Sequence, residues 1–83
     1  MPNKQDFLTE IQCIINEAKG RGVTYIDINS GDVHRHLGGY PGKNHAMATC
    51  CDALYESMKT RDEVISAPPS GKGASVTIRF YLD

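Results

Sequence analysis

The stretch HRHLGGYPGKNH, residues 34–45, holds every histidine of the chain together with Arg35, Lys43, three glycines and a proline. Residues of these types could ligate a metal, cradle a phosphate, or turn the corner between two helices of a nucleic-acid reader. A metal site is the poorest fit. His34 and His36 lie two apart, and on a helix such residues do not share a face. The three cysteines, Cys13, Cys50 and Cys51, have neither zinc-ribbon nor CxxC spacing, so no metal is expected. The phosphate-loop reading fails on spacing too. Gly39 to Lys43 gives GxxGK, whereas a P-loop needs GxxxxGK[ST] between a buried strand and a helix. SGKG at residues 70–73 reads as turn geometry.

Nucleophilic chemistry has little to work with. Cys50 falls on an apolar helical face, where desolvation disfavours the reactive thiolate. Cys51 sits about 100° further round the same helix. Acidic residues are scattered without an evident pair. The expectation is a chain with no catalytic residues, no enzymatic activity and no cofactor.

The elements that must position these residues follow from periodicity. Phe7, Leu8, Ile11, Ile14, Ile15 and Ala18 form the apolar stripe of a helix over residues 4–19, which Gly20 and Gly22 stop. VTYIDIN (23–29) is a short strand rich in β-branched and aromatic residues. Ser30 then caps a short helix that buries Val33 and Leu37 and ends at Gly38–Gly39. YPGKN (40–44) is a turn. From Asn44, as N-cap, to Lys59, the residues Met47, Cys50, Cys51, Leu54 and Met58 define one face of a third helix. EVISA (63–67) and ASVTIRFYL (74–82) are strands of a hairpin closed by a Pro/Gly-rich turn. The second alternates cleanly, with Ala74, Val76, Ile78, Phe80 and Leu82 inward.

This order, helix-strand-helix-helix-strand-strand, predicts an α+β fold of the winged helix-turn-helix plan. It forms one domain over residues 1–83, with a small antiparallel sheet. At 83 residues the chain has room for one modest core. Its 40% apolar and 23% charged content are ordinary for a globular protein. No apolar run approaches the roughly 20 residues of a membrane span, and the N-terminus lacks a signal-peptide stretch. No membrane association and a reducing, cytoplasmic setting are expected. A formal net charge of −1 excludes coating DNA by bulk electrostatics but permits a local basic patch.

In a helix-turn-helix the start of the second helix enters the major groove. Here that start supplies Lys43, Asn44, His45 and Thr49, which can read base edges or phosphates. His34 and Arg35 before the corner, with Lys72 and Arg79 in the hairpin, are expected to touch the backbone of duplex DNA. Asp52 and Glu56, further along the same helix face, oppose any deeper approach. The competing expectation is a protein-interaction module that uses this face to hold a partner such as a nuclease, without touching DNA.

Residues 24–82 carry a resemblance. HRHLGGYPGKNHAM, the vicinal Cys50–Cys51 and GKGASVTIRFYL together resemble a small bacterial winged-helix domain appended to HNH-type restriction endonucleases. The resemblance implies DNA recognition by the module, with cleavage by a separate nuclease domain that this chain does not contain. Relatives carry Arg and Pro where this chain has Ala46 and Ala48, which removes one cation from the start of the third helix.

Overall fold

The protein is described by a computed structural model covering residues 3–38 and 46–82. Helix α1 (Lys4–Gly20) starts in a capping box. The Asn3 side chain accepts from the Asp6 N–H at 2.9 Å, and the Asp6 carboxylate accepts from the Asn3 N–H at 2.9 Å. Its apolar stripe buries Phe7, Ile11, Ile15 and Ala18. The chain turns back through Gly22, whose φ of 79° favours glycine.

Strand β1 (Tyr25–Asn29) runs into helix α2 (Ser30–Leu37) with no intervening loop. Asn29 is both the last strand residue and the helix N-cap, its side chain accepting from the Asp32 N–H at 3.0 Å. The cap is therefore Asn29, not Ser30 as expected, and Ser30 is released for another task. Helix α3 (Met47–Ser57) starts after Ala46, which offers no side-chain cap. The cap expected at Asn44 lies outside the described residues. At its far end α3 stops at Ser57 rather than Lys59. Met58 is extended, and the Lys59 N–H turns to the Asp62 carboxylate at 2.9 Å.

Strands β2 (Glu63–Ser66) and β3 (Thr77–Tyr81) complete an antiparallel sheet in the order β1-β3-β2. Tyr25 faces Tyr81, Asp27 faces Arg79 and Asn29 faces Thr77 across the first pair. Glu63 faces Arg79 across the second, and a bulge follows between Val64 and Ser66. Ile28, Ile78 and Phe80 of the sheet are buried in one core with Phe7, Ile11 and Leu54 of the helices. This is a small α+β protein, three helices on one side of a three-stranded sheet. No helix among the described residues is long and apolar enough to cross a membrane.

The strand expected over residues 74–82 begins only at Thr77, because the segment before it is spent on α2. The Ser30 N–H donates to the Val76 carbonyl at 2.8 Å and the Gly31 N–H to the Ala74 carbonyl at 3.3 Å. The Ser30 hydroxyl donates to the Gly73 carbonyl. The unsatisfied N–H groups at the start of a helix thus find their acceptors in a turn more than forty residues away, itself closed by the Val76 N–H on the Gly73 carbonyl. The approach is close enough that a Cβ on Gly31 would lie 3.0 Å from the Ala74 oxygen and 3.1 Å from the Asn29 side chain. Gly31→Ala is expected to lower stability by about 1–3 kcal/mol through overpacking. Gly20→Ala, with nothing within 4 Å of its Cβ, is expected to leave stability unchanged or raise it by about 0.4–1 kcal/mol. Thermal unfolding of the two variants checks this; equal midpoints would contradict it.

Candidate nucleic-acid interface

Helix α3 buries Met47, Cys50, Cys51, Ala53 and Leu54. Its opposite side carries exposed Ala48 and Glu56 with half-buried Thr49 and Asp52. The loop at residues 67–76 folds back along this helix. Cys51 Sγ donates to the Gly73 carbonyl and accepts from the Gly73 N–H, both at 3.3 Å. The Tyr55 hydroxyl donates to the Gly71 carbonyl. Lys72 Nζ reaches the Asp52 carboxylate at 2.7 Å. Cys50 Sγ instead donates to the Ser30 carbonyl at 3.4 Å.

The vicinal cysteines therefore have separate structural duties, one bonded to the start of α2 and one to the hairpin loop. Both are fully buried. Burial, reinforced by the neighbouring Cys51, pushes the Cys50 thiol up to about 12. Such a thiol is inert toward electrophiles at neutral pH.

His34 requires a correction. It was expected to contact phosphate, but it is fully buried. Its ring packs on Phe7 with centroids 5.0 Å apart. Its Nε2 accepts from the Ala46 N–H at 2.7 Å, so the proton of the neutral ring sits on Nδ1. His34 is thus the cap that α3 lacks in its own sequence, supplied from α2.

The other expected contacts are dispersed. Arg35 is exposed on α2, with its guanidinium 2.7 Å from Asp32. Arg79 lies on the sheet face away from the helices and grips Asp27 with two hydrogen bonds of 2.8 and 3.0 Å. Its guanidinium also stacks 4.2 Å over the Tyr25 ring. That guanidinium holds the Asp27 carboxyl below the usual carboxylate range, and Asp27 in turn raises Arg79. Lys72 is raised likewise by its bond to Asp52. Lys72 reaches α3 at Asp52, one turn beyond Thr49. Lys43, Asn44 and His45 lie outside the described residues.

Asp52 and Glu56, the unfavourable pair of the sequence reading, each have a cation. Lys72 serves the first and Lys4 the second. The described face of α3 is accordingly a neutralised surface. Periodicity could not reveal this, because Lys4 and Lys72 come from distant parts of the chain. Asp27 went unremarked as a partner of Arg79, although the outward parity of both strands would have placed the two on one sheet face. Among the described residues no group of three His, Cys, Asp or Glu side chains converges to hold a metal. A depression of about 270 Å³ beside β1 is lined by Asp27, Asp32 and His36 over Ile14, Ile28 and Val33.

Compared with protein-family models, with curated proteins and with solved structures, the chain gives no match.

Three outcomes follow from the burial of these groups. Loss of the His34 ring removes both a packed aromatic and the acceptor for the N–H of Ala46, the cap residue of α3. His34→Ala is therefore expected to cost about 2–4 kcal/mol in chemical denaturation. Arg35→Ala should stay within about 0.5 kcal/mol; a cost for His34→Ala as small as that would restore the surface reading. A thiol reagent applied to native protein at neutral pH should modify exposed Cys13 alone. The raised Cys50 value adds a pH effect. Its stabilising contribution is full below the unfolded thiol value near 9 and is lost as pH climbs toward about 12. Cys50→Ala should flatten the alkaline decline in stability; an unchanged decline would assign it to other groups.

Proposed function

We propose that the chain is a non-catalytic DNA-binding module of the winged helix-turn-helix kind, working in the cytoplasm. By its resemblance it belongs to a restriction, phage or mobile-element system, akin to the module appended to HNH-type restriction endonucleases. The observation that supports the reading is the placement of the 67–76 loop against α3, with Lys72 on Asp52, one turn beyond Thr49. In this reading α3 is the recognition helix and the loop is the wing. Lys43, Asn44 and His45, just before the helix in sequence, would add contacts to bases and phosphates.

The ion pair on Lys72 does not prevent this. An exposed pair contributes about 0–1 kcal/mol, so a phosphate oxygen can replace Asp52 at the ammonium. Arg79 would have to leave both Asp27 and Tyr25 to meet a phosphate, and Arg35 would have to leave Asp32. Weight therefore falls on Lys43 and Lys72 among the eight residues named from the sequence. His34 contributes by fixing the entry to α3.

A second reading is favoured by one observation: the described cations on this side are already matched by acids. A neutral, preorganised face suits a protein partner such as a nuclease, held without DNA. Salt dependence separates the two. On duplex DNA the affinity should fall as salt rises, and Lys43→Ala and Lys72→Ala should each reduce the slope by about one unit. No binding at low salt, or binding indifferent to salt, would remove the DNA reading and leave the protein-partner one.

A further inference from the structure

The hairpin loop is fastened on either side of Lys72. The Tyr55 hydroxyl holds the Gly71 carbonyl, and Cys51 holds both the N–H and the carbonyl of Gly73. The Ser30 hydroxyl of α2 donates to the same Gly73 carbonyl. Within the loop, the Ser70 hydroxyl donates to the Lys72 carbonyl at 3.0 Å and accepts from the Lys72 N–H at 3.4 Å. On α3, Cys51 and Tyr55 flank Asp52 in sequence. The loop backbone is therefore pinned across Asp52 by uncharged contacts that do not involve the Lys72 side chain.

The Lys72–Asp52 ion pair, 2.7 Å from ammonium to carboxylate, is thus not needed to seat the loop. What it fixes is the ammonium, the end of a flexible four-carbon stem. Both side chains are about half exposed, so an anion from solvent can reach the ammonium. Moving it from Asp52 to that anion requires rotation of the stem alone, with loop and helix at rest. Until then a carboxylate occupies the place of a phosphate. Glu56, one turn further along α3, is paired as well, but with Lys4 of α1. Its cation does not come from the loop, which makes Glu56 a comparison within the same helix.

We propose that Asp52 is a built-in competitor for the DNA phosphate at Lys72, an intramolecular anion that is displaced when the loop engages a duplex. This restraint rests on the DNA reading above and adds to it a regulation of the same site. Displacement breaks an ion pair in the free protein and leaves a released carboxylate near the phosphate, and both effects weaken binding. The cost is the same for every base sequence. Asp52 therefore sets how tightly the module holds DNA, not which sequence it prefers.

A double-mutant cycle on the full chain tests it, with a labelled short duplex at low salt and fluorescence anisotropy as the readout. Asp52→Asn is expected to tighten binding, and by about threefold more when Lys72 is present than on the Lys72→Ala background. Only exchange of the ammonium couples the two residues in this way. Glu56→Gln should give the same gain with and without Lys72. In the free Asp52→Asn protein, NOEs between the loop and α3 at Tyr55–Gly71 and Cys51–Gly73 should persist. Equal gains from Asp52→Asn with and without Lys72 would overturn the proposal and leave the DNA reading standing. Loss of those NOEs would do the same, by making the ion pair a fastening of the loop. Duplex binding by none of the variants or the parent would remove the DNA reading and the competitor with it.

Discussion

The interaction on which the rest of the structure depends is the junction where the first turn of α2 meets the segment at residues 73–76. Strand β1 passes into α2 without a loop, so the first N–H groups of the helix have no nearby chain to satisfy them. The carbonyls of Ala74 and Val76 do so, and Gly73 takes the Ser30 hydroxyl. That arrangement joins segments more than forty residues apart. It puts β3 beside β1 in register, and it brings the hairpin loop down onto α3. Glycine suits position 31 because a methyl group there would crowd the Ala74 oxygen at 3.0 Å.

From this junction the rest is arranged by short polar contacts among apolar surroundings. Cys50 bonds back to Ser30, and Cys51 bonds forward to Gly73. The two neighbouring thiols thus tie α3 to both sides of the junction at once. A pair of small, apolar side chains with weak donor capacity suits this place, where a serine would carry a stronger unmet demand for hydrogen bonds. His34 performs the corresponding task at the N-terminus of α3. The helix that the functional reading needs is therefore held by two helices and a loop, with little help from its own cap.

Most of the fold was legible in the sequence. The stripe Phe7, Ile11, Ile15 and Ala18 and the alternation Val76, Ile78 and Phe80 are one-dimensional patterns, and burial follows them directly. Element ends were less legible, because they depend on tertiary partners. Asn29 rather than Ser30 caps α2, since the Ser30 side chain is claimed by Gly73. The candidate site was legible as a list of residue types but not as an electrostatic surface. Whether a cation is available is decided by the acid opposite it, and Lys72–Asp52, Lys4–Glu56 and Arg79–Asp27 all join distant segments. His34 was misread for a related reason. A histidine among basic and glycine residues looks solvated in sequence, whereas here Phe7 of α1 lies against it.

The central functional claim is that the start of α3 and the adjoining loop meet duplex DNA. An amide-resolved NMR titration of the full chain with a short duplex at low salt tests it most directly. The account predicts shifts at residues 43–45, Thr49 and Lys72, with Tyr25, Arg79 and Tyr81 unmoved. No shifts at any ratio, or shifts confined to the open sheet face, would contradict it.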